Sequence, residues 1–280
     1  MEYPMNQLLF KKVKQMRIMR SLIEKLPDPI YVLLKNFHFR LQRKGIRYIA
    51  REGMIEVADN NLLWTTHRSR AHLYSNGLLE RGAAIGKSYL LENVDFQDGD
   101  TVVDCGANMG DLQLWFESKG IEVKYLGIEP NPLDFECLEK NIISGGSCLN
   151  YALWSENNSL KFWVDSKSAS SSLIEPPTYS KTINVKALRF DEMQDFKNIK
   201  LFKVEGEGAE PEILLGAKGI LDRIQYISVD VGPERGVDQA PTRFEVFRFL
   251  QENNFKVIVE NPYHRKTVLF KNSRHIKVSE

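Results

Sequence analysis

The sequence predicts an α/β fold built on a doubly wound, mostly parallel sheet. Three observations carry this prediction. From residue 100 onward, short apolar β-branched runs alternate with amphipathic helical segments, the rhythm of parallel strands joined by crossover helices. The first of these runs, Thr101–Cys105, opens into a glycine loop, "GANMG". The last two apolar runs, "FKVIVEN" and "KTVLFKN", have no helix-length segment between them and predict an antiparallel hairpin at one edge.

The elements follow in chain order. Residues 5–26 read as a helix: Leu8, Leu9, Met16, Met19, Ile23 and Leu26 share one face, away from Lys11, Lys14, Arg17 and Lys25. "IRYIAREGMIEVAD" reads as a hairpin turning at Glu52-Gly53. Residues 68–92 read as helical with a break near Gly82. Then come the strand "TVVDCG", a helix over Asp111–Ser118, the strand "VKYLGIEP", a helix over Pro132–Ile142 and the strand "CLNYALW". "LKFWVD" and "TINVKALRF" alternate as antiparallel additions. "SKSASSS", Ser166–Ser172, is a loop. "IKLFKVEGEG" and "IQYISVDVG" are further strands, followed by helices over Glu210–Ala217 and Thr242–Asn253.

Charge divides the chain unevenly. Residues 1–47 hold eleven Lys and Arg against three Asp and Glu, whereas the remainder holds 27 bases and 34 acids. The expected division is a basic amphipathic helical arm over 1–45, a hairpin and helix over 46–95 that cover the active site, and a catalytic domain over 96–280. The arm has three readings: a solvated helix packed on the body or a partner chain, a peripheral contact of residues 5–26 with an anionic membrane surface, or a nucleic-acid contact. No known RNA-binding module supports the third. Three cysteines without metal-ligand spacing point away from a disulfide framework and toward a reducing compartment, so a cytoplasmic protein is expected. "IYVLL" is too short to span a bilayer.

In such a sheet, ligands bind beyond the carboxyl ends of the strands. Gly106 and Gly110 let the backbone approach a ligand closely. A dinucleotide would need GxGxxG, and here the middle glycine is missing. Asp104 precedes the loop; a carboxylate there repels a pyrophosphate and attracts a cationic amino-acid group. S-adenosylmethionine carries an ammonium and a sulfonium and no phosphate. Glu129, twenty-three residues after Gly106, ends the next strand, where an acid accepts ribose hydroxyls. That last feature also suits NAD. "RGAAIGKS", Arg81–Ser88, has one residue too few between Gly82 and Gly86 for a phosphate-binding P-loop.

On "VDCGANMG" (Val103–Gly110), "IEPNP" (Ile128–Pro132), "FKVEGEGAEPEIL" (Phe202–Leu214) and "YISVDVGPERG" (Tyr226–Gly236), the chain resembles the FkbM family of S-adenosylmethionine-dependent O-methyltransferases across residues 85–270. The resemblance implies a class I methyltransferase (Rossmann-like) domain behind an N-terminal helical and β-hairpin extension. It places Asp104, Gly106, Ala107, Asn108, Gly110, Asp111, Glu129 and Asn131 at the cofactor; Asn131 reads equally as a turn residue. The chain carries Glu205 where the family has Asp, and Gly206 where it has a β-branched residue. The acceptor implied is a sugar hydroxyl of a bacterial surface polysaccharide or glycolipid.

Methyl transfer needs the acceptor oxygen positioned and its proton removed. Glu205, Glu207 and Asp230 follow neighbouring strands and are the candidate catalytic acids. One of them is a general base, or the cluster holds a divalent cation that acidifies the hydroxyl. Glu210 reads as a helix cap. Trp154, Trp163 and Tyr179 are candidates for a sugar platform. His67 and His72 precede the core and are the histidines within reach of an acceptor pocket. Two rivals stand beside the methyltransferase: a non-catalytic scaffold in glycan assembly, and a nicotinamide-dependent oxidoreductase.

Overall fold

The computed structural model describes residues 26–165, 170–193, 196–262 and 266–275. The helix expected over 5–26, part of the Ser166–Ser172 loop and His264 lie outside the described residues. The chain divides into two compact units, Met1–Gly77 and Leu78–Glu280.

In the first unit, helix α1 (Asp28–Leu41) precedes an antiparallel meander of β1 (Arg47–Arg51), β2 (Met54–Asp59) and β3 (Leu62–Thr66). The hairpin turns at Glu52 and Gly53, whose φ values of 50° and 77° are those that a two-residue turn requires. Strand β3 is an addition to the sequence reading. Tyr31 and Phe39 of α1 bury their rings 6.4 and 4.9 Å from that of Tyr48. Asn36 pins the edge strand by pairing with both the amide and the carbonyl of Tyr48, at 2.7 and 2.8 Å. His67 and His72 flank and occupy a 3-10 segment, Arg68–Tyr74, of this unit, and His72 Nδ1 lies 2.9 Å from Ser69 O.

The expected break near Gly82 falls elsewhere. The segment is interrupted before Leu78, with Gly77 at φ 118°, and Gly82 sits inside helix α2 (Leu78–Ser88).

The second unit holds, apart from a two-stranded ribbon of β12 (Pro233–Arg235) and β13 (Ala240–Pro241), a seven-stranded sheet. Its members are β4 (Thr101–Cys105), β5 (Lys124–Ile128), β6 (Ser147–Leu149), β10 (Ile199–Val204), β11 (Ile224–Asp230), β14 (Phe255–Glu260) and β15 (Thr267–Asn272), in the order β14-β15-β11-β10-β4-β5-β6. All pairs are parallel except those of β15, which runs antiparallel to β11 and β14. This is the doubly wound class I arrangement, and the strand order reverses between β4 and β10. Helices α3 (Leu112–Lys119), α4 (Pro132–Asn141), α5 (Glu210–Gly216) and α6 (Arg243–Glu252) supply the crossovers. The central strands are buried almost throughout, as strands covered on both faces must be.

One strand reading is corrected here, and the expected antiparallel additions are found. "CLNYALW" is not one strand: β6 joins the main sheet, while β7 (Ala152–Leu153) joins a separate sheet of order β7-β9-β8. The break falls at Asn150, whose side chain turns back to the carbonyls of Glu129 and Pro130 at 2.8 and 3.3 Å. The antiparallel pair β8 (Asn158–Val164) and β9 (Lys181–Leu188) therefore extends that small sheet, not the main one; it has its own core of Ala152, Phe162, Val164, Val185 and Ala187.

"RGAAIGKS" lies on α2. Its glycines admit α3: a Cβ at Gly82 would stand 2.4 Å from the carbonyl oxygen of Leu114, and one at Gly86 would stand 1.9 Å from the Trp115 ring. Both glycines therefore serve helix packing.

Candidate active site

Strand β4 delivers the chain to Gly106, at φ 70°. A Cβ there would stand 2.1 Å from the carbonyl oxygen of Glu205, so the exit of β10 crosses directly over this glycine. The loop is fixed by its own amides. Gly106 N and Ala107 N both donate to Ile128 O, at 3.0 and 3.1 Å; Gly110 N donates to Ala107 O at 2.8 Å. Asn108, at φ 52°, donates its amide to Glu129 Oε2 at 2.8 Å. Four amides of Gly106–Gly110 are thus engaged within the protein, which leaves little for a diphosphate to meet.

Glu129 follows β5 and is buried. Its second oxygen accepts from Asn131 N, also at 2.8 Å. Burial, with Asp134 adding repulsion, pushes this carboxyl up to about 8 against the two amide donors. A carboxylate offers about four acceptor positions, so two hydroxyl donors can still be received. That donor set fits the ribose of a nucleoside. Asn131 lies on the same turn, but its side chain is committed to structure: it caps α4 by accepting from Leu133 N at 3.3 Å and donates to Asp134 at 2.6 Å.

Asp104 differs from its sequence expectation. It is not an open charge at the mouth of the loop. Lys203, its register partner on β10, places Nζ 2.9 Å from Asp104 Oδ1, and Tyr125 OH donates to Asp104 Oδ2 at 2.8 Å. The same ammonium lies 3.1 Å from Glu205 Oε2 and donates to Cys105 O and Gly106 O at 3.1 and 2.8 Å. It also lies over the Tyr89 ring, 4.8 Å from the centroid, and Tyr89 OH donates to Glu205. Burial alone would lower the lysine's pKa, but Asp104, Tyr89 and Glu205 outweigh it and hold the group well above its ordinary value. The ammonium is therefore fixed as a cation between two carboxylates, beside the strand reversal.

Sequence reasoning missed Lys203 and Tyr89. The second of the two lysines in the strand run "IKLFKV" was the available signal for Lys203; Tyr89 left none.

The remaining acids of the rim have separate tasks. The register Cys105↔Val204↔Val229 sets Glu205 and Asp230 one step beyond the paired ends of adjacent strands. Asp230 is buried and accepts from Gly232 N at 2.9 Å. Glu207 sits at φ 51°, and Ser172 Oγ donates to its carbonyl at 2.9 Å. Glu210 folds back from the first turn of α5 to accept from Gly206 N and Gly208 N at 2.8 and 3.2 Å, and burial pushes it up to about 7. Both amides precede the helix, so Glu210 fastens the incoming loop to the first turn of α5. Asp111, at the start of α3, is held by Arg81 through contacts of 2.7 and 2.6 Å.

The divalent-cation alternative finds no donor set. Among the described residues, no group of three or more His, Cys, Asp and Glu side chains is placed to hold a metal. Trp154 packs on the main core, Trp163 lies on β8 with Lys161 5.7 Å from its ring centroid, and Tyr179 is exposed.

Comparison with known proteins bears on this architecture. The curated "Methyltransferase 1" of Beauveria bassiana is 26% identical over 196 residues, covering 60% of this chain and 76% of that protein. Among solved structures, the methyltransferase FkbM of Methylobacillus flagellatus KT aligns with a TM-score of 0.45 at 16% identity, over 64% of this chain and 45% of that one; this chain thus spans under half of that protein. M. capricolum TrmK, solved with S-adenosyl-homocysteine, aligns with a TM-score of 0.39 at 11% identity, over 68% of each chain. The model of the methyltransferase FkbM domain matches residues 104–257, from the strand that carries Asp104 to the first residues of β14. That match spans more than half of the sequence, and the chain belongs to the FkbM methyltransferase family.

Proposed function

We propose that the protein is an S-adenosylmethionine-dependent O-methyltransferase whose acceptor is a sugar hydroxyl, in a surface polysaccharide or glycolipid. The observation that carries the cofactor reading is the engagement of the loop amides. Gly106, Ala107, Asn108 and Gly110 already donate within the protein, while the buried carboxylate of Glu129 retains acceptor capacity. Such a site favours a nucleoside that brings hydroxyl donors and positive charge over one that brings a diphosphate.

S-adenosylmethionine supplies a methyl group made electrophilic by its sulfonium. The chain's own residues hold and orient. Glu129 receives the ribose hydroxyls, and Gly106 brings the backbone close without a side chain in the way. Asp104 and Glu205, sharing the single charge of Lys203, leave this rim net negative and suit a cationic ligand. Glu205, Glu207 and Asp230 are the acids proposed to hold the acceptor hydroxyl and take its proton. A base contributes on the order of 10²–10⁴-fold, and alignment of the reacting atoms contributes more; acceptor positioning therefore dominates.

One observation keeps a scaffold reading alive: Glu205 is already tied to Lys203 and Tyr89. Titration calorimetry with S-adenosylmethionine, S-adenosylhomocysteine and NAD tests the site. Binding of the first two and not the third is expected, and NAD binding alone overturns the reading. Methyl transfer to a panel of nucleotide sugars and glycans then separates enzyme from scaffold.

A further inference from the structure

Helix α1 has two unlike faces. Tyr31 and Phe39 are buried, and Asn36 bonds β1 from the same side. At 100° per residue, Ile30, Leu33, Leu34, Phe37 and Leu41 fall within one third of the circumference, on the opposite side. These five side chains are between 42% and 68% exposed. Scattered exposed leucines need no explanation, but a contiguous stripe of five large apolar groups marks an interaction surface.

The charges beside the stripe identify what covers it. Arg40 falls on its shoulder, Arg43 follows the helix end, and both are exposed. The helix holds a single acid, Asp28, which pairs with Arg68. Two candidate occupants bring the wrong sign. A second copy would bring its own Arg40 and Arg43 to the interface, and the helix's one acid, Asp28, is already paired with Arg68. Residues 1–25 carry six Lys and Arg against two acids and would lay base upon base. An anionic lipid surface offers hydrocarbon to the stripe and negative charge to the arginines. The helix has 14 residues, too few to span a bilayer, so it would lie in the interfacial plane.

We propose that the exposed face of α1 seats the protein on an anionic membrane surface, with Leu33, Phe37 and Leu41 entering the acyl boundary and Arg40 and Arg43 contacting headgroups. The docking is independent of methyl transfer.

Co-sedimentation of the full chain with vesicles tests it, comparing phosphatidylcholine alone with phosphatidylcholine mixed with phosphatidylglycerol. Retention on the mixed vesicles is expected to exceed that on neutral ones by about tenfold, and to fall as salt is raised. The triple variant Leu33→Gln, Phe37→Gln, Leu41→Gln alters only exposed positions and should keep the wild-type circular dichroism. It should lose about tenfold in retention, and Arg40→Glu with Arg43→Glu should lose a similar amount on mixed vesicles alone. Equal retention of the triple variant and the wild type overturns the proposal. So does a wild type that ignores both vesicle types, or a dimer in sedimentation velocity that the triple variant abolishes.

Discussion

Glu129 and Glu205 follow neighbouring regions of one rim, yet they are held by opposite means. Glu129 is gripped by two neutral backbone amides, and its pKa is pushed up to about 8 by burial and Asp134. Glu205 is gripped by a cation, Lys203, which also neutralises Asp104. Two amides leave the other acceptor positions of Glu129 open to hydroxyl donors. The ammonium of Lys203, shared between two acids, ties Glu205 to the loop. The rim thus sets an amide-held acid beside a triad of Asp104, Lys203 and Glu205, although the two acids were indistinguishable as letters.

The largest effect should come from breaking the triad. Lys203→Met leaves Asp104 and Glu205 in the interior without their counter-charge. Removing one partner of a buried pair costs about 3–5 kcal/mol, and urea denaturation should show a loss of that size. Adding Asp104→Asn to the same chain should return part of it. A Lys203→Met chain of wild-type stability would dissolve the distinction between the two acids.

The next effect tests the amide-held acid, proposed to receive the ribose. Glu129→Gln must turn an NH₂ group toward one of two amide donors, and it weakens the acceptor offered to ribose. Calorimetry should show S-adenosylmethionine bound about 10- to 100-fold more weakly, the loss of one or two charge-assisted bonds. The pH dependence sharpens this. The folded, ligand-free carboxyl titrates near 8 and its ordinary value is 4.5, so the folded state holds a proton that the unfolded chain releases between those values. The ligand-free protein therefore loses stability as pH rises from 4.5 to about 8. Receiving two hydroxyl donors requires the ionised form, so affinity should fall by up to about tenfold per unit as pH drops below that value. Glu129→Gln should flatten that profile.

How legible each region was follows from the distance between partners in the chain. The Glu52-Gly53 hairpin, the alternation after residue 100 and the closing hairpin β14–β15 depend on local pattern and were readable. The place of Glu129 at the end of β5, within one βα unit, was readable as well, though the amides that hold it, one of them 21 residues away, were not. Lys203 meets Cys105 across 98 residues and Tyr89 meets Glu205 across 116, so the strand order had to be known first. The break expected near Gly82 failed for the same reason. A glycine that admits another helix looks like a breaker until the other helix is seen. Asn131 shows the reverse limit: its letter suited both cofactor and turn, and only the geometry of α4 revealed its side chain as the helix cap.

The smallest effect is the most discriminating about the triad. Tyr89→Phe removes the hydroxyl that bonds Glu205 and leaves the ring over the Lys203 ammonium. One hydrogen bond to a carboxylate, with its second partner intact, should cost about 1–2 kcal/mol. If Lys203, Glu205 and Tyr89 act as a unit, that cost should change once Lys203 is absent. In a Lys203→Met background, Glu205 loses its cation and keeps the phenol as a donor. The tyrosine should then matter more, and a double-mutant cycle should return a coupling energy of about 0.5–3 kcal/mol. Additive losses would mean that Tyr89 merely packs beside the pair. The loop that Lys203 braces through Gly106 O would then be held without help from the phenol.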